Sequence, residues 1–133
     1  MNMKRVESLL KKNHVVFCGA LRWRDKNTSD GTAAKIAGYL KCPFVNLTNV
    51  KGLYSSDPKR YKRAKFIPEI SWKDFLKVIK EIKFAAGQHF VLDRVAAREI
   101  RSKKVATYIV GSLGSLDAVL EGKDKFGGTL IRG

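Results

Sequence analysis

Residues 47–58 read LTNVKGLYSSDP, which sets Thr48, Gly52, Tyr54 and Asp57 in one loop. A hydroxyl, a glycine that lets backbone approach, an aromatic ring and a carboxylate are the parts of a grip on a purine base and its ribose. The run before them, PFVNL, is short, apolar and rich in β formers, as an interior strand of a parallel sheet is. Ligands in open α/β sheets bind beyond such strand ends. The same residues also make an ordinary polar turn from Asn49, Gly52 and Ser-Ser-Asp-Pro, and spacing alone favours the turn.

The elements that would position this loop alternate between helix and strand. Residues 4–12 suit a helix with Val6, Leu9 and Leu10 on one side, and residues 15–18 read as a buried strand. An Ala-rich helix over 30–40, with Ala33, Ala34, Ala37 and Leu40 inward, leads into a strand over 44–47. Residues 51–68 form an excursion of turn chemistry with little core. Ser71 and Asp74 make an S-x-x-D cap for a helix whose buried stripe is Trp72, Phe75, Leu76 and Ile79. Asp93 caps the next helix, residues 105–110 form a core strand, 115–120 a short helix, and 129–131 a closing strand. Strands alternating with helices predict an α/β fold with a sheet covered on both faces.

Composition bounds the rest. At 133 residues and 44% hydrophobic content the chain is a single globular domain, residues 1–133, with no repeat and no linker. No run approaches the roughly 20 apolar residues of a membrane span, and the charged N-terminus lacks a secretory cleavage site. A cytoplasmic location without membrane contact is expected. Cys18 and Cys42 lack metal-ligand spacing and read as reduced core thiols, so no metal site is expected from the protein's own ligands.

Charge is the second strong signal: 27 Lys and Arg against 12 Asp and Glu leave a net +15, which predicts attraction to phosphate-rich partners. Lys59, Arg60, Lys62 and Arg63 surround Tyr61 in KRYKRAK, a pattern suited to phosphate contacts plus base stacking. Lys73, Lys77, Lys80 and Lys83 recur at helical spacing, as do Arg94, Arg98 and Arg101; each stripe alone reads as a solvated face. Other residues have bland readings as well. Asp30 suits a cap or first-turn acid, Trp23 suits packing on its own domain, and His89 is assigned no chemistry.

Several segments in one order carry a family likeness. After the 47–58 loop, they are VVFCGALRWRDKNTSDGTAAKIAGYL upstream, then GQHFVLDRVAAREIRSKKVATYIVGS and the terminal GGTLI. TNVKGLYSSDP is similar to the TNVDGVYxxDP segment of archaeal-type uridylate (UMP) kinases, members of the amino acid kinase family. The upstream segment resembles their strand, phosphate loop and helix, VVxxGGxxPGxSTDAVAALLAEY. The downstream ones resemble GxxxVxDxxAAxxIxRSxIxTxVxxG and the closing GTxI strand. The likeness runs from Val6 to Ile131 and covers the second half of such a kinase.

The resemblance implies a three-layer αβα sandwich with a mostly parallel sheet, the second half of the amino acid kinase fold. It places Thr48, Tyr54 and Asp57 where the family holds the adenine and ribose of ATP, and Asp30 where an aspartate organises the phosphoryl-transfer centre with Mg²⁺. Arg24, Asp25, Lys26, Asn27, Thr28 and Ser29 fall on the loop that wraps the acceptor UMP, with Thr28 and Ser29 on the paired hydroxyl positions. The family's opening glycine-rich turn and lysine have no counterpart in the matched region. Phosphoryl transfer is mainly positioning and charge neutralisation, so an N-terminal kinase half, or a second copy, is the expected partner. Two departures stand out: Gly19-Ala20 and LRWRDKNTS replace a Gly-Gly pair and a proline-glycine turn, and Lys51 replaces the acid of TNVDG. The alternative reading is a non-catalytic, basic module for RNA or a ribonucleoprotein surface.

Overall fold

The structure, a computed structural model, describes residues 2–18, 28–81 and 91–133. Its elements are α1 (Met3–Leu10), α2 (Ser29–Leu40), β1 (Phe44–Leu47), β2 (Leu53–Tyr54), β3 (Phe66–Ile67), β4 (Glu69–Ile70), α3 (Trp72–Glu81), α4 (Arg94–Lys103), β5 (Thr107–Val110), α5 (Leu113–Leu120) and β6 (Gly128–Ile131). Strands β1, β5, β6 and β4 form one sheet in that order. The β1–β5 and β4–β6 pairs are parallel and β5–β6 is antiparallel, so the sheet is mixed and mostly parallel.

Side-chain alternation on β5 and β6 separates the two faces of the sheet. Ile109 and Ile131 face the main core, where Phe75, Leu76 and Ile79 of α3 and Ala96, Ala97 and Ile100 of α4 meet. α4 lies between α2 and α3 in this layer. On the opposite face Tyr108 packs edge-on against Phe126, ring centroids 5.3 Å apart, and α5 lies along β1 and β5. The expected αβα layering and α/β class are therefore present. α1 rests on α2, where the Tyr39 hydroxyl donates to Glu7 Oε2 at 3.1 Å; that hydrogen bond holds the phenol above the usual tyrosine pKa.

The helix ends follow from local chemistry. Ser71 Oγ accepts from Asp74 N–H at 3.1 Å and Asp93 Oδ1 from Ala96 N–H at 2.8 Å, the two caps expected from the sequence. α2 and α4 both end in a left-handed lysine, Lys41 (φ 54°) and Lys104 (φ 52°). In each, the following N–H reaches back to the helix, Cys42 to Ala37 O at 3.1 Å and Val105 to Ile100 O at 3.0 Å. These tight reversals turn each helix directly into a parallel strand. No helix among the described residues is long and apolar enough to cross a membrane.

Several sequence expectations need correction. Residues 15–18 form no strand: Val15 is 68% and Phe17 96% exposed, because β formers make a strand only where an edge pairs with them, and among the described residues β1 pairs with β5 alone. Cys18 and Cys42 are exposed rather than core thiols, Cys42 lying on the α2–β1 reversal. Leu9 and Leu10 stay partly exposed on α1, and Ala33 and Leu40 are half-buried. Residues 51–68 hold more core than expected, since Leu53 is fully buried and Ile67 packs beside it. Strand β4 lies within a stretch that carries no apolar alternation long enough to announce it.

Candidate functional site

The 47–58 loop leaves the sheet at the C-terminal end of β1, as the sequence suggested. Thr48 N–H donates to Val110 O at 2.9 Å, extending the β1–β5 ladder by one residue. The chain then crosses Gly111 so closely that a Cβ there would sit 2.4 Å from Val50 O and 2.9 Å from Lys51 Cα. Gly52 lies equally close to β6, where an added Cβ would meet Thr129 Oγ1 at 2.6 Å. Close approach to the protein's own strand is thus one reason that position 52 is a glycine.

β2 and β3 pair antiparallel, Leu53 with Ile67 and Tyr54 with Phe66. One buried hydroxyl staples this hairpin to the sheet: Thr129 Oγ1 accepts from Leu53 N–H at 2.8 Å and donates to Ile67 O. Tyr54 is half-buried, its ring edge-on to Phe66 with centroids 5.4 Å apart, and Lys51 Nζ sits 4.7 Å from the Phe66 centroid. Asp57 organises the turn beyond. Its Oδ1 accepts from Lys59 N–H at 2.9 Å, its Oδ2 lies 3.7 Å from Arg60 Nε, and its carbonyl accepts from Arg60 and Tyr61 N–H at 3.1 and 2.9 Å. The polar-turn reading is therefore correct for Asp57, and its carboxylate retains acceptor capacity beyond those bonds.

The same end of the sheet gathers helix N-termini. Because α2 and α4 reverse tightly into β1 and β5, their N-termini return to the C-terminal ends of those strands, where α5 also begins. Thr28 caps α2 through Gly31 N–H at 3.0 Å and Ser112 caps α5 through Ser115 N–H at 3.1 Å. Asp30 occupies the first turn of α2, so it is the first-turn acid and the cap belongs to Thr28. Gly31 presses on α4, its added Cβ 2.7 Å from Val95 Cγ1. Thr28 and Ser29 thus lie at the end of the sheet that carries Thr48, while Arg24, Asp25, Lys26 and Asn27 lie outside the described residues, as does Trp23. Clustered helix N-termini favour anionic groups such as phosphates.

Reading the residues alone missed the groups that hold this end together: Asn46, whose Nδ2 donates to Val91 O at 2.7 Å, together with Gly111 and Thr129. A polar residue inside each apolar strand was the available signal for Asn46 and Thr129. Gly111→Ala is expected to destabilise the fold by about 1–3 kcal/mol, because the added methyl meets backbone that cannot rotate aside. Urea denaturation checks this, and a midpoint equal to that of the parent would show the crossing to be loose.

Residues 1–111 match the amino acid kinase family. The uridylate kinase of Archaeoglobus fulgidus is 32% identical over 98% of this chain and 59% of its own length. That of Thermococcus kodakarensis is 35% identical over 79% of this chain and 47% of its own. The crystal structure of the Archaeoglobus fulgidus enzyme superposes with a TM-score of 0.82 at 30% identity, covering 98% of this chain and 57% of that one. UMP kinase from Bacillus anthracis, at 20% identity and TM-score 0.77, shares the fold. The chain belongs to the amino acid kinase family, and it spans about half the length of the curated relatives it matches.

Proposed function

We propose that this chain is the C-terminal, ATP-binding half of a UMP kinase, which moves the γ-phosphoryl group of ATP to UMP when an N-terminal half completes it. The observation that carries the reading is the convergence at one end of the sheet: the TNVKGLYSSDP loop leaves β1 where the α2 terminus bearing Thr28, Ser29 and Asp30 returns. Tyr54 and Thr48 hold the adenine side, Asp57 accepts from the ribose hydroxyls, and Asp30 keeps the transfer centre in order. Arg24, Asp25, Lys26, Asn27, Thr28 and Ser29 wrap the acceptor.

Mg²⁺ fits this arrangement as a companion of the nucleotide. Among the described residues no three His, Cys, Asp or Glu side chains form a cage, and Mg²⁺ usually rides on substrate phosphates with one or two carboxylates and several waters. Asp30, in the first turn of α2, is a carboxylate at that end of the sheet. When bound, the ion neutralises charge on the phosphates; the protein residues position both nucleotides and exclude water.

Equilibrium binding of ATP to the isolated chain tests the site. Binding should be weak, and Tyr54→Ala should weaken it about tenfold through lost stacking while Tyr54→Phe keeps it. Asp57→Asn preserves the acceptor that Lys59 N–H needs, so it removes the charge without dissolving the turn; a loss of about tenfold is expected from the weaker ribose bonds. Unchanged affinity in both Tyr54→Ala and Asp57→Asn would return the loop to a structural turn.

A further inference from the structure

The turn between β2 and β3 carries Lys59, Arg60, Lys62, Arg63 and Lys65, all exposed, with Tyr61 among them 60% exposed. The turn is held by its own backbone. Asp57 accepts from Lys59, Arg60 and Tyr61 N–H, Ala64 N–H donates to Tyr61 O at 3.0 Å, and Ser55 and Lys65 close the base with bonds of 2.9 and 3.0 Å. Much of the entropy of ordering these side chains' backbone is therefore lost on folding rather than on binding. The one acid in the turn, Asp57, is engaged in these bonds and faces Arg60, so the turn presents a net positive projection.

Tyr61 distinguishes this projection from a solvated face. Tyr54 and Tyr108 pack on phenylalanine rings and the Tyr39 hydroxyl is bonded to Glu7. Among the described residues no ring or hydroxyl partner holds the Tyr61 side chain. The helical stripes lack this feature: Lys73, Lys77, Arg98 and Arg101 are equally exposed, but Trp72 at the start of α3 turns inward and donates Nε1–H to Val105 O at 2.9 Å. Cations interleaved with an outward aromatic ring suit a chain of phosphates bearing stackable bases.

We infer that residues 57–65 bind single-stranded nucleic acid, the lysines and arginines contacting phosphates and Tyr61 stacking on a base. This activity goes beyond the kinase reading, since these side chains follow Asp57 and serve a polymer rather than a mononucleotide.

The test is fluorescence anisotropy of the 133-residue chain with a labelled oligouridylate of about 12 nucleotides, repeated across a salt series. Each phosphate contact on a single strand contributes about −0.7 to the log–log salt slope. Combining Lys59→Ala, Lys62→Ala, Arg63→Ala and Lys65→Ala should flatten that slope by about 2 to 3 units; Arg60 is spared because it leans on Asp57. Combining Lys73→Ala, Lys77→Ala, Arg98→Ala and Arg101→Ala removes the same charge from α3 and α4 and should flatten it by less than about one contact. Tyr61→Ala should weaken binding about tenfold at fixed salt with the slope unchanged, and Tyr61→Phe should restore it. Equal flattening by the two four-fold variants would overturn the site in favour of overall charge. Full affinity in Tyr61→Ala, with heparin bound as tightly as the oligonucleotide, would overturn it in favour of a general polyanion surface.

Discussion

Alone, the 133-residue chain is expected to transfer no phosphoryl group from ATP to UMP. Mixed with a chain carrying the first half of a uridylate kinase, it is expected to gain that activity. The expectation rests on extent: 98% of this chain superposes on 57% of the Archaeoglobus fulgidus enzyme, so a large share of such a kinase has no counterpart in it. Transfer of a γ-phosphoryl group needs donor, acceptor and charge-neutralising groups held together, and half of such a set gives little rate. Within the reconstituted enzyme, Asp30→Asn should lower kcat about 10²–10³-fold, the usual effect of losing one preorganised electrostatic group. Its effect on stability should be small beside the loss of kcat, since Thr28 carries the cap and a first-turn carboxylate contributes about 1 kcal/mol to its helix. Coupled-assay kinetics with a melting curve for each variant separate the two effects. Turnover by the isolated chain, or full turnover by the Asp30→Asn enzyme, would refute the assignment.

The parts of the fold legible in the sequence were those with local causes. The stripe of Phe75, Leu76 and Ile79 and the caps at Ser71 and Asp93 are written within one or two turns of helix, and the structure has all of them. The PFVNL strand was legible from its run of apolar β formers, but its expected interior place was not met: among the described residues β1 is the edge strand of its sheet and Leu47 is 47% exposed. Residues 15–18 show the same composition without the partner, and whether a strand forms depends on an edge that composition does not describe. The β2–β3 hairpin was hidden for the opposite reason. Its polar, turn-forming residues are what local rules recognise, while its burial comes from Leu53 reaching a core built by α3 and α4. In the candidate site, the side chains facing outward were readable as chemistry. The glycines beneath them were not, because the clashes that require Gly52 and Gly111 lie with residues far away in sequence.

Thr129→Val should destabilise the protein by about 2–4 kcal/mol although it keeps the shape of the side chain. Thr129 is fully buried, and its hydroxyl both accepts from Leu53 N–H and donates to Ile67 O. Valine would take away the hydroxyl that serves both groups, which otherwise have only each other across the hairpin, and leaving a buried group short of a partner costs about 1–3 kcal/mol. The present structure has no buried side-chain polar atom in that condition among its described residues. Thr129→Ser keeps the hydroxyl and loses one methyl, so a loss of about 1 kcal/mol is expected there. The functional consequence follows from position: the two bonds tie the hairpin that carries Tyr54 and leads to Asp57 onto β6. Thr129→Val should therefore weaken ATP binding together with stability, whereas Tyr54→Ala acts chiefly on binding. Hydrogen exchange localises the effect, with faster exchange expected at the Leu53 amide first. If valine matches the parent in urea midpoint and in Leu53 protection, the hairpin is held by packing of Leu53 and Ile67 instead, and the hydroxyl is incidental to the site.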